Sequence, residues 1–246
     1  MKILTILQAR MTSTRLPGKV LRPLQGAPML ERQIERLRRS QRLGQLIIAT
    51  SADPSDDPIE ACGAALNCPV YRGALADVLQ RYCGAIEAFG PVDHVVRVTG
   101  DCPLTDWTIL DQVIALHLDT DADYTSNTVD RTYAKGLDVE VFKAPLLLDI
   151  PGLTDDAYDH EHVTPFLYRN PDRYRIAQLT QSPDRSQIRW TVDTPSDYRL
   201  AQAIYGALYD ANPAFTAADI EALGWTLEAD PDVALHLLGH IKDRGG

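Results

Sequence analysis

The 246-residue chain is poor in cysteine, short of positive charge and without a long hydrophobic run. Its four cysteines, Cys62, Cys68, Cys83 and Cys102, form no C-x-x-C pair and no small secreted-domain pattern, so they are expected as reduced thiols. Nowhere do 18 apolar residues run together, which excludes a membrane-crossing helix by length. The apolar start MKILTIL stops at Gln8-Ala9-Arg10, too short for a signal-peptide core with its cleavage site, and a cytoplasmic protein is the expectation. G-x-x-x-x-G-K-[ST] and G-x-G-x-x-G are also missing, which removes the Walker A loop and the dinucleotide fingerprint. There are no internal repeats, low-complexity tracts or flexible linkers. With 45% hydrophobic residues the chain can bury a full core, and a single domain over residues 1–246 is expected.

A formal charge of −10 argues against nucleic acid or an anionic membrane as partner, because either would be repelled over most of the surface. The average conceals an asymmetry. Residues 1–50 hold ten Lys/Arg against two Asp/Glu, whereas the remaining 196 hold 14 against 32. A cationic segment in an anionic body suggests a small anionic ligand held locally. Within it, QARMTSTRLPGK sets Arg10, Arg15 and Lys19 around Thr12, Ser13 and Thr14.

KILTIL reads as a strand buried on both faces, and PMLERQIERLRRS places Met29, Leu30, Gln33, Ile34 and Leu37 at helical spacing. The alternation recurs through QLIIAT, DPIEACGAAL, ADVLQRYCGAIEAF, DHVVRVT and DWTILDQVIALHL, the signature of an α/β fold with a largely parallel sheet. Ligands of such sheets sit beyond the carboxyl ends of the strands, so the loops after KILTIL and VVRVT are where chemistry is expected. After about residue 120 the rhythm changes to short strands in DYTSN, LDVEVF and YRIAQL and a helix with its exit in AYDHEHVTPFLYRN. RWTVDTPSDYRLAQAIYGALY follows as a strand end, a loop and a helix, with two more helical stretches in 213–242. Residues from about 125 to 180 are expected as an inserted arm or lobe.

Arg10, Arg15 and Lys19 can neutralise a triphosphate, Ser13 and Thr14 can donate hydroxyl hydrogen bonds, and Gly18 lets backbone amides approach. The plain alternative is a solvated basic loop. Asp101, after VVRVTG, is placed to hold Mg²⁺ between phosphate oxygens, and Asp193 in TVDTPSD follows a similar apolar stretch; taken alone, a helix cap is the ordinary reading of either. Two carboxylates on loops plus a cationic anchor meet the needs of metal-assisted nucleotidyl transfer. HEH (His160–His162) and HLLGH (His236, His240) invite a zinc reading, but neither shows three spaced ligands. Asp138 and Glu140 share one strand face and suit sugar hydroxyls, a second Mg²⁺ or solvent. Arg131, Lys135 and Arg189 are spare cations for a substrate carboxylate.

ARMTSTRLPGK resembles the signature A-R-x-x-S-x-R-L-P-G-K of the cytidylyltransferases that activate sugar acids as CMP-sugars, including the 3-deoxy-manno-octulosonate and acylneuraminate enzymes. Through ILQARMTSTRLPGKVL, VVRVTGDCPL, DYTSN, GLDVEVF, EHVTPF and VDTPSDY, from residue 3 to about 198, the chain is similar to the spore-coat polysaccharide (SpsF-like) branch. The resemblance implies a three-layer α/β/α nucleotide-diphospho-sugar transferase fold, Rossmann-like, with a mixed sheet, an inserted dimerisation arm and a homodimer. It implies CTP phosphates on Arg10, Ser13, Arg15 and Lys19, metal on Asp101 and Asp193, and a nucleoside near Arg72 and Asp77. His160 stands where relatives often carry Arg; with His162, Asp138 and Glu140 it is expected toward the sugar. The expected reaction is Mg²⁺-dependent transfer of CMP from CTP to a sugar or sugar acid, with Arg10, Lys19 and Asp101 catalytic and pyrophosphate released. Two rivals stay open: a glycosyltransferase using DTDAD (Asp119–Asp123) as a metal motif, and a catalytically silent nucleotide-binding subunit.

Overall fold

Apolar runs without polar alternation become interior strands. The computed structural model describes residues 1–223. Strand β1 (Ile3–Gln8) leads through a loop and a 3-10 turn (Lys19–Leu21) into the small hairpin β2 (Pro23–Leu24) and β3 (Ala27–Pro28). Next come α1 (Met29–Leu37), β4 (Gln45–Ser51), α2 (Asp57–Ala65), β5 (Val70–Gly73), α3 (Val78–Phe89), β6 (His94–Thr99) and α4 (Trp107–Asp119). The second half supplies β7 (Tyr124–Ser126), β8 (Glu140–Lys143), α5 (Ala144–Asp149), α6 (Ala157–His162), α7 (Pro165–Tyr168), β9 (Ile176–Gln178), α8 (Pro195–Leu208) and α9 (Ala217–Leu223).

Seven strands form one sheet in the order β5-β4-β1-β6-β8-β7-β9, with β8 alone running against its neighbours. Alternate strand residues feed two cores. On one face Leu7, Ile48, Val96 and Val98 pack with α1, α4 and α8; on the other Leu4, Ile6, Ile47 and Val95 pack with α3, α5 and α7. The three-layer α/β/α expectation with a mixed sheet therefore holds. Residues 125–180, expected as an inserted arm, contribute β8, β9 and most of β7 to this same sheet.

Local rules explain most boundaries. Helix α1 buries the five residues its spacing marked, Met29, Leu30, Gln33, Ile34 and Leu37. The stretch AYDHEHVTPFLYRN is two short helices rather than one, broken at Val163, whose φ of 74° is strained for a β-branched residue. A γ-turn, Thr164 N–H donating to the His162 carbonyl at 2.9 Å, accompanies the break. RWTVD, expected as a strand end, makes only an isolated Lys135–Arg189 bridge. All four cysteines are free, and burial pushes the Cys68 and Cys83 thiols up to about 11. No helix among the described residues is long and apolar enough to cross a membrane.

A partly buried imidazole relay ties β6 to α4 and β7: His94 Nδ1 lies 3.0 Å from His117 Nε2, and His117 Nδ1 lies 2.9 Å from the Thr125 hydroxyl. Burial, aided by His94, pulls the His117 pKa down to about 4. A depressed imidazole pKa means that the fold binds fewer protons than the unfolded chain. Its stabilisation is therefore complete above the unfolded value near 6.5 and is lost as pH falls toward 4. We expect urea stability to fall by on the order of 3 kcal/mol across that window. His117→Asn should flatten the slope; an unchanged slope in the variant would assign the acid sensitivity elsewhere.

Candidate active site

Strand β1 delivers Gln8, Ala9 and Arg10 to the carboxyl edge of the sheet, where the loop to Lys19 folds back on itself. The amides of Ser13 and Gly18 both donate to the Met11 carbonyl, at 2.9 and 3.0 Å. Met11 N–H in turn donates to Asp56 at 2.7 Å, a fully buried carboxylate that also accepts from the Ser51 amide at 3.1 Å. Leu16 and Val20 are buried beneath the loop and pin it. Lys19 opens the 3-10 turn with its ammonium inside. It donates to Asp193 Oδ1 and to the Val192 carbonyl at 2.8 Å each, and to Asp101 Oδ2 at 3.4 Å.

Backbone contacts bring the two carboxylates together. Gly100 N–H donates to the Gln8 carbonyl at 2.7 Å, and a Cβ at Gly100 would lie 3.0 Å from Ala9 Cβ, so the loops after β1 and β6 touch at a position suited to glycine. The next carbonyl, that of Asp101, accepts from Val192 N–H at 2.8 Å. Gly136, at φ +106°, lets the Trp190–Thr191 backbone pass where a Cβ would meet it at 2.7 Å. Neither acid is a cap. Thr194 caps α8 in a capping box with Asp197, and Asp106 caps α4, accepting from Thr108 N–H at 2.7 Å. Burial pushes the Asp193 carboxyl up, but Lys19, Arg189 and Arg15 outweigh it and hold the group below the usual carboxylate range. Arg189 pairs directly with Asp193, and Arg15 lies 3.2 Å away.

Two cavities adjoin there. The first, about 370 Å³, is bordered by Arg10, Ser13, Arg15 and Lys19 on one loop and by Asp101, Asp193, Arg81 and His162. The second, about 440 Å³, is bordered by Arg97, Arg131, Asp138, Glu140, Tyr158 and Thr164. Thr99 and His162 border both, so the two lie side by side. Glu140 is buried between Arg97, the Tyr124 hydroxyl at 2.8 Å and the Thr164 hydroxyl. Asp138 takes a two-pronged bond from Arg131, at 2.6 and 2.9 Å. The His162 ring packs at a tilt of 56° against Tyr158, with centroids 4.3 Å apart.

Other anticipated residues lie elsewhere. Arg72, expected near the nucleoside, sits on edge strand β5 and is neutralised by Asp57 and Glu60 of α2 at 2.7 Å each. Asp77 caps α3 and lies 2.8 Å from His160 Nδ1, and neither residue borders these two cavities. The bond to Asp77 raises the His160 pKa. His160 and His162 thus face different partners, and no group of three His, Cys, Asp or Glu among the described residues could hold a metal by itself. Within DTDAD, Asp121 and Asp123 pair with Lys143 and Arg175 away from both cavities. His236 and His240 lie outside the described residues.

Asp56, Arg97 and Arg81 were not anticipated. Arg81 had a signal: on α3 it shares helical spacing with the apolar Val78, Tyr82 and Ala85, which turns a cation toward the interior.

A family model described as Cytidylyltransferase matches residues 4–220. Spore coat polysaccharide biosynthesis protein SpsF of Bacillus subtilis is 38% identical over 94% of this chain and 96% of its own. A cytidylyltransferase structure from Leptospira borgpetersenii superposes with a TM-score of 0.86 at 32% identity, covering 91% of this chain and 94% of that one. CMP:2-keto-3-deoxy-manno-octonic acid synthetase complexed with CTP shares the fold, with a TM-score of 0.62 at 14% identity over 84% and 99% of the two chains. An anchor loop, two converging carboxylates and a match along nearly the whole described chain agree: the protein belongs to the cytidylyltransferase family.

Proposed function

We propose that the protein transfers CMP from CTP to a hydroxyl of a sugar or sugar acid, releases pyrophosphate, depends on Mg²⁺, and serves the assembly of surface-polysaccharide precursors. The observation that carries this reading is the ammonium of Lys19 between Asp101 and Asp193 beside Arg10 and Arg15.

A positive charge already sits between the two carboxylates, so their convergence suits a cation. An all-oxygen donor pair, with phosphate oxygens completing the shell, matches the habit of Mg²⁺. Bound by Asp101 and Asp193, Mg²⁺ would supply Lewis-acid neutralisation of phosphate charge. The chain's own groups do the rest. Arg10, Arg15 and Lys19 hold the triphosphate and stabilise charge on the departing pyrophosphate, with Ser13 as a hydroxyl donor. The second cavity orients the acceptor through Asp138, Glu140 and His162, so that its oxygen meets the α-phosphorus beside Thr99 and His162, the residues both cavities share. That oxygen forms the new P–O bond as the bond to the β-phosphate breaks, and the hydroxyl proton leaves to water or the departing pyrophosphate.

A pyrophosphate-release screen crossing four nucleoside triphosphates with neutral sugars and sugar acids tests the reading. Acceptor-dependent pyrophosphate release with CTP above the other nucleotides is expected. Release of nucleoside diphosphate from a nucleotide-sugar donor instead would overturn it in favour of glycosyl transfer.

A further inference from the structure

Arg81 is 1% exposed, borders the first cavity, and none of its three guanidinium nitrogens has a hydrogen-bond partner among the described residues. A buried guanidinium left unpaired costs stability, since its hydration is lost with nothing in exchange. The nearby acids do not relieve it. Asp56 is engaged by the Met11 and Ser51 amides, and Asp77 by the Gln80 amide and His160. Arg10, the other cation close by, likewise has no acidic partner among the described residues. Lys19 and Arg15 differ: both already face Asp193. The wall holding Arg81 and Arg10 is therefore the part of the cleft whose positive charge the protein leaves uncompensated. Close packing sets the direction of the side chain, because a Cβ at Gly73 would lie 3.1 Å from Arg81 Cγ, fixing α3 against the end of β5.

We propose that Arg81 is a further phosphate-contacting residue, which with Arg10 completes the charge around the nucleotide from α3. This rests on the nucleotidyl-transfer reading and deepens it. An uncharged base or ribose would leave two neighbouring cations unneutralised, whereas a polyphosphate satisfies both with charge-assisted hydrogen bonds. Burial pushes the guanidinium pKa down in the free protein, and a bound anion reverses that push.

Calorimetric titration of the full chain with sodium tripolyphosphate and with CTP, in buffer containing magnesium, tests the assignment. Arg81→Gln is expected to weaken both ligands about ten- to a hundredfold, with Arg81→Lys in between. The ligand-free melting temperature of Arg81→Gln should be equal or higher, because a buried unpaired charge has gone. Unchanged tripolyphosphate affinity in Arg81→Gln overturns the proposal; so does lost CTP affinity with tripolyphosphate unaffected, which would move the contact to the nucleoside. If Arg81→Gln does not fold, Arg81→Lys decides by the same comparison. Wild-type protein that binds neither ligand would sink the nucleotidyl-transfer reading itself, a result distinct from a variant that binds normally.

Discussion

Replacing Asp101 by Asn is expected to lower turnover roughly a thousandfold while leaving CTP affinity within about tenfold of wild type. The asymmetry follows from where the residue sits. Its carboxylate touches Lys19 only at 3.4 Å, so the anchor cations lose little when its charge is removed. Its backbone carbonyl, which accepts from Val192 N–H at 2.8 Å, is unchanged by the substitution, so Asp193 stays in place and the melting temperature should not move. What disappears is one of two anionic oxygens available to a divalent cation, and neutral Asn is a poor substitute for a hard ion. On the proposed reading, charge on the reacting phosphate then rests on the cations of the cleft, Arg10, Arg15, Lys19 and Arg81, with less help from a metal. The measurement is steady-state pyrophosphate release with the best acceptor from the screen, beside a CTP titration. Near-normal turnover would show that Asp101 takes no part in the chemistry; a parallel collapse of CTP affinity would make it a binding residue.

Sequence carried the parallel half of the sheet because burial on both faces leaves a plain mark, as in KILTIL and QLIIAT. It carried α1 through its spacing. Strand β5 left no such mark: Val70, Tyr71, Arg72 and Gly73 lie at the sheet edge, half-buried, with one charged side chain among four residues. That concealment hid where the Arg72 side chain goes. With the segment taken as a loop, Arg72 looked free to reach the cleft. The edge strand instead hands it to Asp57 and Glu60, and α3 turns Arg81 inward. The anchor loop was legible by composition, whereas its latch was not, because Asp56 looks like any acid in ADPSDDP until Met11 N–H reaches it. Nothing local distinguished Asp101 and Asp193 from caps. The distinction needed the register that assigns capping to Asp106 and to Thr194 with Asp197, and the pairing of the two acids needed the contact of Val192 with Asp101.

Lys19→Met should have the second large effect, and a two-sided one. Without nucleotide, the ammonium spends its three protons on Asp193, Asp101 and the Val192 carbonyl. Lys19 thus occupies the space between the carboxylates that a cation would share, and on the proposed reading it competes with that cation while it helps to hold the phosphates. Met keeps the length of the buried stem but removes the charge, so CTP affinity is expected to fall about ten- to a hundredfold, the scale of one charge-assisted contact from a buried ammonium. Over the same substitution the nucleotide-free protein should bind Mg²⁺ more tightly, because Asp101 loses its ion-pair partner and Asp193 keeps only Arg15 and Arg189. Thermal shift with increasing Mg²⁺, without nucleotide, reads this directly: the rise in melting temperature should be larger for the variant than for wild type. An equal rise in both proteins would mean that the two carboxylates do not share a cation at the place Lys19 fills. Unchanged CTP affinity would remove Lys19 from the triphosphate anchor. The opposite signs of the two effects separate a residue that mediates between metal and phosphate from one that only packs the loop, since loss of packing would weaken both ligands together.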